Sequence, residues 1–212
     1  MLILAVGAAL LAQTDAPKAA AAKPNLLDPS TLKATAPATF MVQFETTKGP
    51  FTMKVTRAWA PNGADHFYNL VRAGYFTDAA FFRVIPGFMV QFAISARPEV
   101  SRIWANSNIQ DDPVKQSNKP GMVTFAQTSA RNSRSTQLFI NYGDNSRLDA
   151  DRFAPFGEVT KGMDVVEKIY SGYGEQPDQT AMTNQGKAYL DKNFPKLDHI
   201  VSATIVTDAA KK

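Results

Sequence analysis

The 212-residue chain has no cysteine and only two histidines, His66 and His199. The first absence excludes disulfides, thiolate metal sites and a thiol nucleophile. The second, with the two imidazoles far apart in sequence, leaves no zinc-ligand spacing. No metal and no cofactor is expected. Blocks of one charge are missing as well: the formal charge is +4, and the Lys and Arg residues are scattered. A nucleic-acid partner needs a basic stripe to neutralise phosphates, so none is expected. Beyond the first twelve residues there is no long hydrophobic run, so a processed chain is not expected to insert stably into a membrane.

The composition is otherwise that of an ordinary globular protein, 44% hydrophobic and 20% charged, with 14 Phe to fill a core. Met1 to Ala12 is almost wholly apolar, too short to span a bilayer but suited to the centre of a signal peptide, with small residues behind it. The alternative is a buried first strand or helix. Residues 14–38, rich in Ala, Pro, Lys and Thr without an apolar period, read as a flexible tether. The organisation expected is therefore a signal peptide at 1–13, a tether at 14–38, one domain at 39–208 and a short tail at 209–212. Export to a periplasm or the exterior follows, as a monomer.

Within the domain, Phe40–Thr46 reads as a strand, Lys48-Gly49-Pro50 as a turn, and Phe51–Thr56 alternates with period two, which together predict a hairpin. Ala60 to Gly74 reads as a helix, with Pro61 in its first turn and Phe67, Leu70 and Val71 on one face. His66 in that helix is expected at its surface or boundary. Short strands are predicted at Phe81–Ile85, Met89–Ser95, Gly121–Gln127, Gln137–Tyr142, Ala154–Thr160 and His199–Thr207. A second helix is predicted from Lys161 and a third helical piece over Asn184–Asn193, while Ala96–Pro120 reads as a long polar loop. Many short strands with two principal helices point to a mainly β fold, a closed antiparallel barrel with helical caps; a sandwich fits the pattern too.

Two segments carry chemistry. The first is Phe81-Phe82-Arg83-Val84-Ile85-Pro86-Gly87-Phe88-Met89-Val90-Gln91. An alternating strand puts Arg83 and Ile85 on one side and Phe82 and Val84 on the other. An arginine on an apolar strand needs a reason, because an unpaired buried charge is costly. It either pairs with a carboxylate or presents its planar fork of donors to a ligand in a cleft. The second segment is Gly121-Met122-Val123-Thr124-Phe125-Ala126-Gln127, continued by Ser135-Thr136-Gln137-Leu138-Phe139-Ile140-Asn141. Taken singly, its apolar residues read as core.

The first segment closely resembles the cyclophilin pattern F-H-R-x-I-P-G-F-M-x-Q, departing only at Phe82. The second is similar to that family's G-x-x-x-M-A and S-Q-F-F-I stretches, and Leu148-Asp149, Phe156-Gly157-Glu158-Val159 and Gly162-Met163-Asp164-Val165-Val166 resemble further family blocks in order. The resemblance runs from Thr39 to Thr207, about four-fifths of the chain. It implies a closed eight-stranded antiparallel barrel capped by two helices, with the active face on the barrel's outside, and a peptidyl-prolyl cis-trans isomerase acting on proline-containing polypeptides. It assigns Arg83 as the catalytic arginine and Phe88, Met89, Phe139 and Leu148 as the pocket for the proline ring. Gln91, Gln137, Ile85 and Ala126 fall on the same face, the Gln127 backbone holds the peptide, and Phe153 stands at the rim.

Two departures stand out. Arg147 occupies a position where many members have Trp or Phe, the aromatic that supports tight binding of cyclosporin-class inhibitors. Phe92-Ala93 replaces a common Gly-Gly. Neither removes the arginine or the ring pocket. Two other functions fit parts of the pattern: a proline-peptide-binding chaperone with weak turnover, and a carrier barrel, which would need an interior cavity.

Overall fold

The computed structural model describes residues 24–206. The expected signal peptide, the tether's first part and the C-terminal tail lie outside the described residues. Eight strands form one antiparallel sheet: β1 (Thr39–Thr46), β2 (Gly49–Thr56), β3 (Arg83–Ile85), β4 (Met89–Phe92), β5 (Met122–Phe125), β6 (Leu138–Asn141), β7 (Pro155–Lys161) and β8 (Ile200–Val206). Their order across the sheet is β3-β4-β6-β5-β7-β2-β1-β8.

The sheet curls on itself as a half-barrel, so the expectation of a closed barrel needs correcting. Its end strands β3 and β8 share no ladder and meet only through the bridge between Ala80 and His199. Around it Phe81 N–H donates to Asp198 O at 2.9 Å and Asp78 N–H to Ile200 O at 2.8 Å. The physical reason lies on β3, which is three residues long and has its outer edge taken by a loop: Val84 N–H donates to Gly174 O at 2.9 Å.

The concave side holds the core. Phe40, Val42 and Phe44 alternate inward along β1, and Phe44 stacks on Phe51 at 4.7 Å between ring centres. Helix α1 (Pro61–Arg72) closes one end, burying Phe67, Leu70 and Val71. Its N-terminus carries no capping side chain of its own, Ala60 standing at the cap. Asp112 supplies the cap from a distant loop, accepting from Asn62 N–H at 3.0 Å and Gly63 N–H at 2.9 Å. Asp112 and Asp111 also flank Arg134, whose side chain is 1% exposed.

Four shorter helices complete the fold: α2 (Pro98–Trp104), α3 (Met163–Glu167), α4 (Gln179–Gln185) and α5 (Lys187–Asn193). Helix α2 falls in the stretch expected as loop; Pro98 in its first turn, Glu99 near its start and Arg102 near its end were the local signals. The second helix predicted from Lys161 is a five-residue turn, because β7 runs through Lys161 and Gly162, at φ +79°, separates strand from helix. The single piece expected over Asn184–Asn193 is two helices broken at Gly186. None of the described helices is long and apolar enough to cross a membrane.

Residues 24–38 do not behave as a tether. Leu26 is buried and its carbonyl accepts from Trp104 Nε1 at 2.8 Å. Ala36 N–H donates to Asp65 at 2.8 Å, and Asn69 exchanges hydrogen bonds with the Ala34 backbone. Composition hid this, because the docking uses backbone groups and only two buried apolar side chains, Leu26 and Ala36.

Candidate active site

The ladders place the site residues before any side chain is considered. Arg83 pairs with Gln91 across β3 and β4, Gln91 with Phe139 across β4 and β6, and Phe139 with Thr124 across β6 and β5. Cross-strand partners share a face, so these four form one rung, with Met89 two residues along. The intervening residues Val84, Val90, Ile140 and Val123 belong to the core. The site therefore lies on the sheet's convex, outer face, and the interior is packed with side chains.

That face carries an open pocket of about 430 Å³. Arg83, Phe88, Met89, Gln91, Ala126, Gln127, Gln137, Phe139, Leu148 and Phe153 line it. Of the eleven residues expected at the site only Ile85 is absent from the lining. It sits half-buried opposite Met89, on the same face but outside the lining. Phe139 and Phe153 meet edge to face at 5.7 Å, forming an apolar wall. Phe139 and Met89 are only 4% and 2% exposed, yet neither belongs to the core; their accessible surface opens into the pocket.

A hydrogen-bond chain crosses the polar end. Arg83 Nε donates to Glu175 at 3.0 Å and its Nη1 to Gln91 Oε1 at 3.3 Å, while Gln91 Nε2 donates to Gln137 Oε1 at 2.7 Å. The two explanations for an arginine on an apolar strand thus hold together: it pairs with a carboxylate through Nε and faces a cleft with the rest of its fork. Glu175, 92 residues away, is set beside it by the same loop that covers β3. Sequence reasoning missed Glu175, and also Ala105, Thr128, Ser133, Ser135 and Gln179 of the lining. They sit in loops and at helix ends without a local pattern to mark them.

The turn between β3 and β4 aims Phe88. Gly87 adopts φ +74°, and a β-carbon at Gly143 would collide with the Gly87 carbonyl, so two loops touch backbone to backbone there. Arg147 lies over Phe88, its guanidinium carbon 4.9 Å from the ring centre, within cation–π range. Phe82, at the departure from the cyclophilin pattern, packs with Ile94, Met182 and Leu190 beneath α4 and α5. Ala93 takes φ +76°, in the region glycine adopts without penalty, which gives the usual glycine there a physical reason.

A curled eight-stranded sheet with an outward-facing arginine beside an aromatic pocket defines the cyclophilin class. The family model described as cyclophilin type peptidyl-prolyl cis-trans isomerase matches residues 41–187, and the chain belongs to that family. A peptidyl-prolyl cis-trans isomerase of Acinetobacter baylyi is 33% identical over 145 residues, 65% of this chain and 76% of that protein. Peptidyl-prolyl cis-trans isomerase B of Escherichia coli is 29% identical over 182 residues, covering 79% of this chain and all (100%) of that one. Among solved structures, a Hirschia baltica cyclophilin superposes with TM-score 0.60 at 20% identity, over 84% of this chain and 78% of that one. A Cryptosporidium parvum cyclophilin type isomerase, crystallised in the presence of the dipeptide Ala-Pro, gives TM-score 0.59 at 18% identity, over 79% and 99%.

Proposed function

We infer that this chain accelerates rotation about X–Pro bonds, the reaction for which its family is named, and that Arg83 is the catalytic group. The observation that carries this is the placement of Arg83 and the Phe139–Phe153 wall in one solvent-open pocket on the outer face.

Resonance gives the peptide C–N bond partial double-bond character and a barrier of roughly 18–20 kcal/mol. In the twisted transition state that conjugation is lost and the prolyl nitrogen regains a lone pair. A donor aimed at that nitrogen binds the twisted form better than either planar form, which lowers the barrier. A guanidinium has five N–H donors. Glu175 takes the one on Nε and Gln91 takes one on Nη1, leaving three for substrate. The ion pair and the amide also fix the fork's plane before substrate arrives, which is pre-organisation.

Phe88, Met89, Phe139 and Leu148 grip the ring while the preceding carbonyl swings, with Phe153 closing the rim. Gln91, Gln137, Ala126 and the Gln127 backbone hold the peptide. Uncatalysed exchange takes tens to hundreds of seconds. Turnover at roughly 100–1,000 per second requires about 6–7 kcal/mol, within reach of one charged donor plus substrate positioning. Rotation breaks no covalent bond, so the reaction calls for no nucleophile and no metal.

The test is NMR exchange spectroscopy on a peptide with one X–Pro bond and a catalytic amount of protein. Cis and trans signals should exchange many times faster than without it. Binding without faster exchange would leave the proline-peptide chaperone instead. Export is a further part of the reading, resting on the apolar stretch Met1–Ala12. It predicts a mature N-terminus between Gln13 and Ala20 on direct sequencing, and an intact Met1 on the functional protein would refute it. The substrates are then exported chains still folding, met by a monomer.

A further inference from the structure

Behind the pocket lies a cluster of buried amides, and Asn118 is its centre. Asn118 is fully buried, 0% exposed, and every polar group it owns is engaged. Its backbone N–H and one side-chain N–H donate to Asp149 Oδ1, at 3.0 and 2.8 Å. The other side-chain N–H donates to Phe153 O at 2.8 Å. Its Oδ1 accepts from Thr124 Oγ1 at 2.8 Å and Asn141 Nδ2 at 3.3 Å. Its carbonyl accepts from Asn145 N–H at 2.8 Å. Asn145 continues the net, donating through Nδ2 to Phe88 O and to Asn141 Oδ1, each at 2.8 Å.

The net leads to the walls of the pocket. Asn145 holds the Phe88 backbone, Asn118 holds the Phe153 backbone, and Leu148 is carried on the short 3-10 turn between Asn145 and Asp149. Thr124 belongs to β5, where it pairs with Phe139, and Asn141 to β6, the strand that carries Phe139. Asn118 itself does not line the pocket. Burial would raise the Asp149 carboxyl, but hydrogen bonds from Ser117 and Asn118 hold it below the usual range, so the anchor stays ionised.

We propose that Asn118 is a positioning residue for substrate binding: it sets the spacing of Phe88, Leu148 and Phe153 around Phe139 and so the fit of the proline ring. The idea rests on reading the pocket as the proline site. Only a carboxamide offers two donors and a two-lone-pair acceptor in this arrangement. Removing it leaves Thr124 Oγ1 and Phe153 O without the partner they have here and takes one bond each from Asp149 and Asn141, so the side-chain tie between the loops bearing Leu148 and Phe153 is lost.

The experiment compares Asn118→Ala with Val55→Ala, a core truncation in β2 remote from the pocket, with the denaturation midpoint of each recorded. Asn118→Ala should raise KM for a proline peptide roughly tenfold or more, with kcat changing much less, since Arg83 is untouched. Val55→Ala should lose stability with KM within about twofold of wild type. Asn145→Ala cuts the ties to Phe88 and Asn141 but leaves those of Asn118 to Asp149 and Phe153, and serves if Asn118→Ala does not fold; its KM should rise as well. A second readout is independent of catalysis: the nuclear Overhauser contacts between the Phe139 and Phe153 rings should weaken in Asn118→Ala, or those between the Phe88 ring and Arg147 in Asn145→Ala. A folded variant with unchanged KM and unchanged ring contacts would overturn the proposal. Wild-type protein that fails to speed exchange refutes the isomerase reading instead, and the ring contacts still decide the role of Asn118.

Discussion

Replacing Arg83 by alanine separates chemistry from architecture. The Arg83 side chain is 31% exposed and its carboxylate partner Glu175 is 66% exposed. An ion pair this wet contributes at most about 1 kcal/mol, and Glu175 left alone simply rehydrates. Gln91 loses one long hydrogen bond but keeps the 2.7 Å bond to Gln137. Stability measured by urea denaturation should therefore change by less than about 1 kcal/mol. The kinetic loss should be far larger. Removing one pre-organised donor to a developing charge typically costs about 10²–10³ in turnover, or about 3–4 kcal/mol. Peptide affinity should shift much less, because the ring pocket remains and the missing contact belongs to the twisted state. Arg83→Lys should rescue poorly, since an ammonium cannot bind Glu175 and Gln91 and still offer a fixed planar fork. The measurements are kcat and KM from exchange spectroscopy beside a denaturation curve. Wild-type turnover in folded Arg83→Ala would remove the residue from the mechanism. A stability loss of about 3–5 kcal/mol would show that it acts as one half of a buried pair.

Arg134→Ala should be the reverse case, costing about 3–5 kcal/mol in urea denaturation, because it strands Asp111 and Asp112 beside a helix start. Restoring part of the loss with Asp112→Asn in the same chain would confirm the charge as the cause. The His66 ring packs against Trp104 and Phe125, and desolvation pushes its pKa down to about 4 from 6.5. The folded state then resists a proton that the unfolded chain accepts, so its contribution is complete above pH 6.5 and is lost as pH falls toward about 4. Between pH 7 and 5 this amounts to at most about 2 kcal/mol, and His66→Phe should flatten that part of the stability profile. Arg147, exposed over Phe88, should favour peptides with an acidic residue beside the proline by about two- to fivefold over lysine at low salt, and Arg147→Ala should abolish the preference.

What was legible in the sequence followed from local rules. The strand patterns of Phe40–Thr46 and Phe51–Thr56 around one turn predicted the first hairpin, which the structure has as β1 and β2. The resemblance carried the pocket because its residues fall in short unbroken runs on adjacent strands. What stayed hidden is held by long-range polar contacts. Glu175 meets Arg83, Asp112 caps α1 and Asn118 ties Asp149 to Phe153 across separations that no periodicity marks. Ile85 was placed in the site by the resemblance, but it does not line the pocket that Arg83 and Met89 share. Helix α2 was lost in a polar stretch because its buried face is only Val100, Ser101 and Trp104.

The pairing of β1 with β8 has a consequence for how the protein is made. Val42 lies opposite Ile205 and Phe44 opposite Ala203, so the first strand finds one of its two neighbours at the far end of the chain. During synthesis the β1–β2 hairpin can form as soon as both strands emerge, but the free edge of β1 waits until β8 has been made. An unpaired edge with Phe40 and Phe44 on one face invites pairing with other chains. The growing chain thus passes through a stage with an open sheet edge, and β8, the final strand of the described residues, both completes the sheet and ends that exposure.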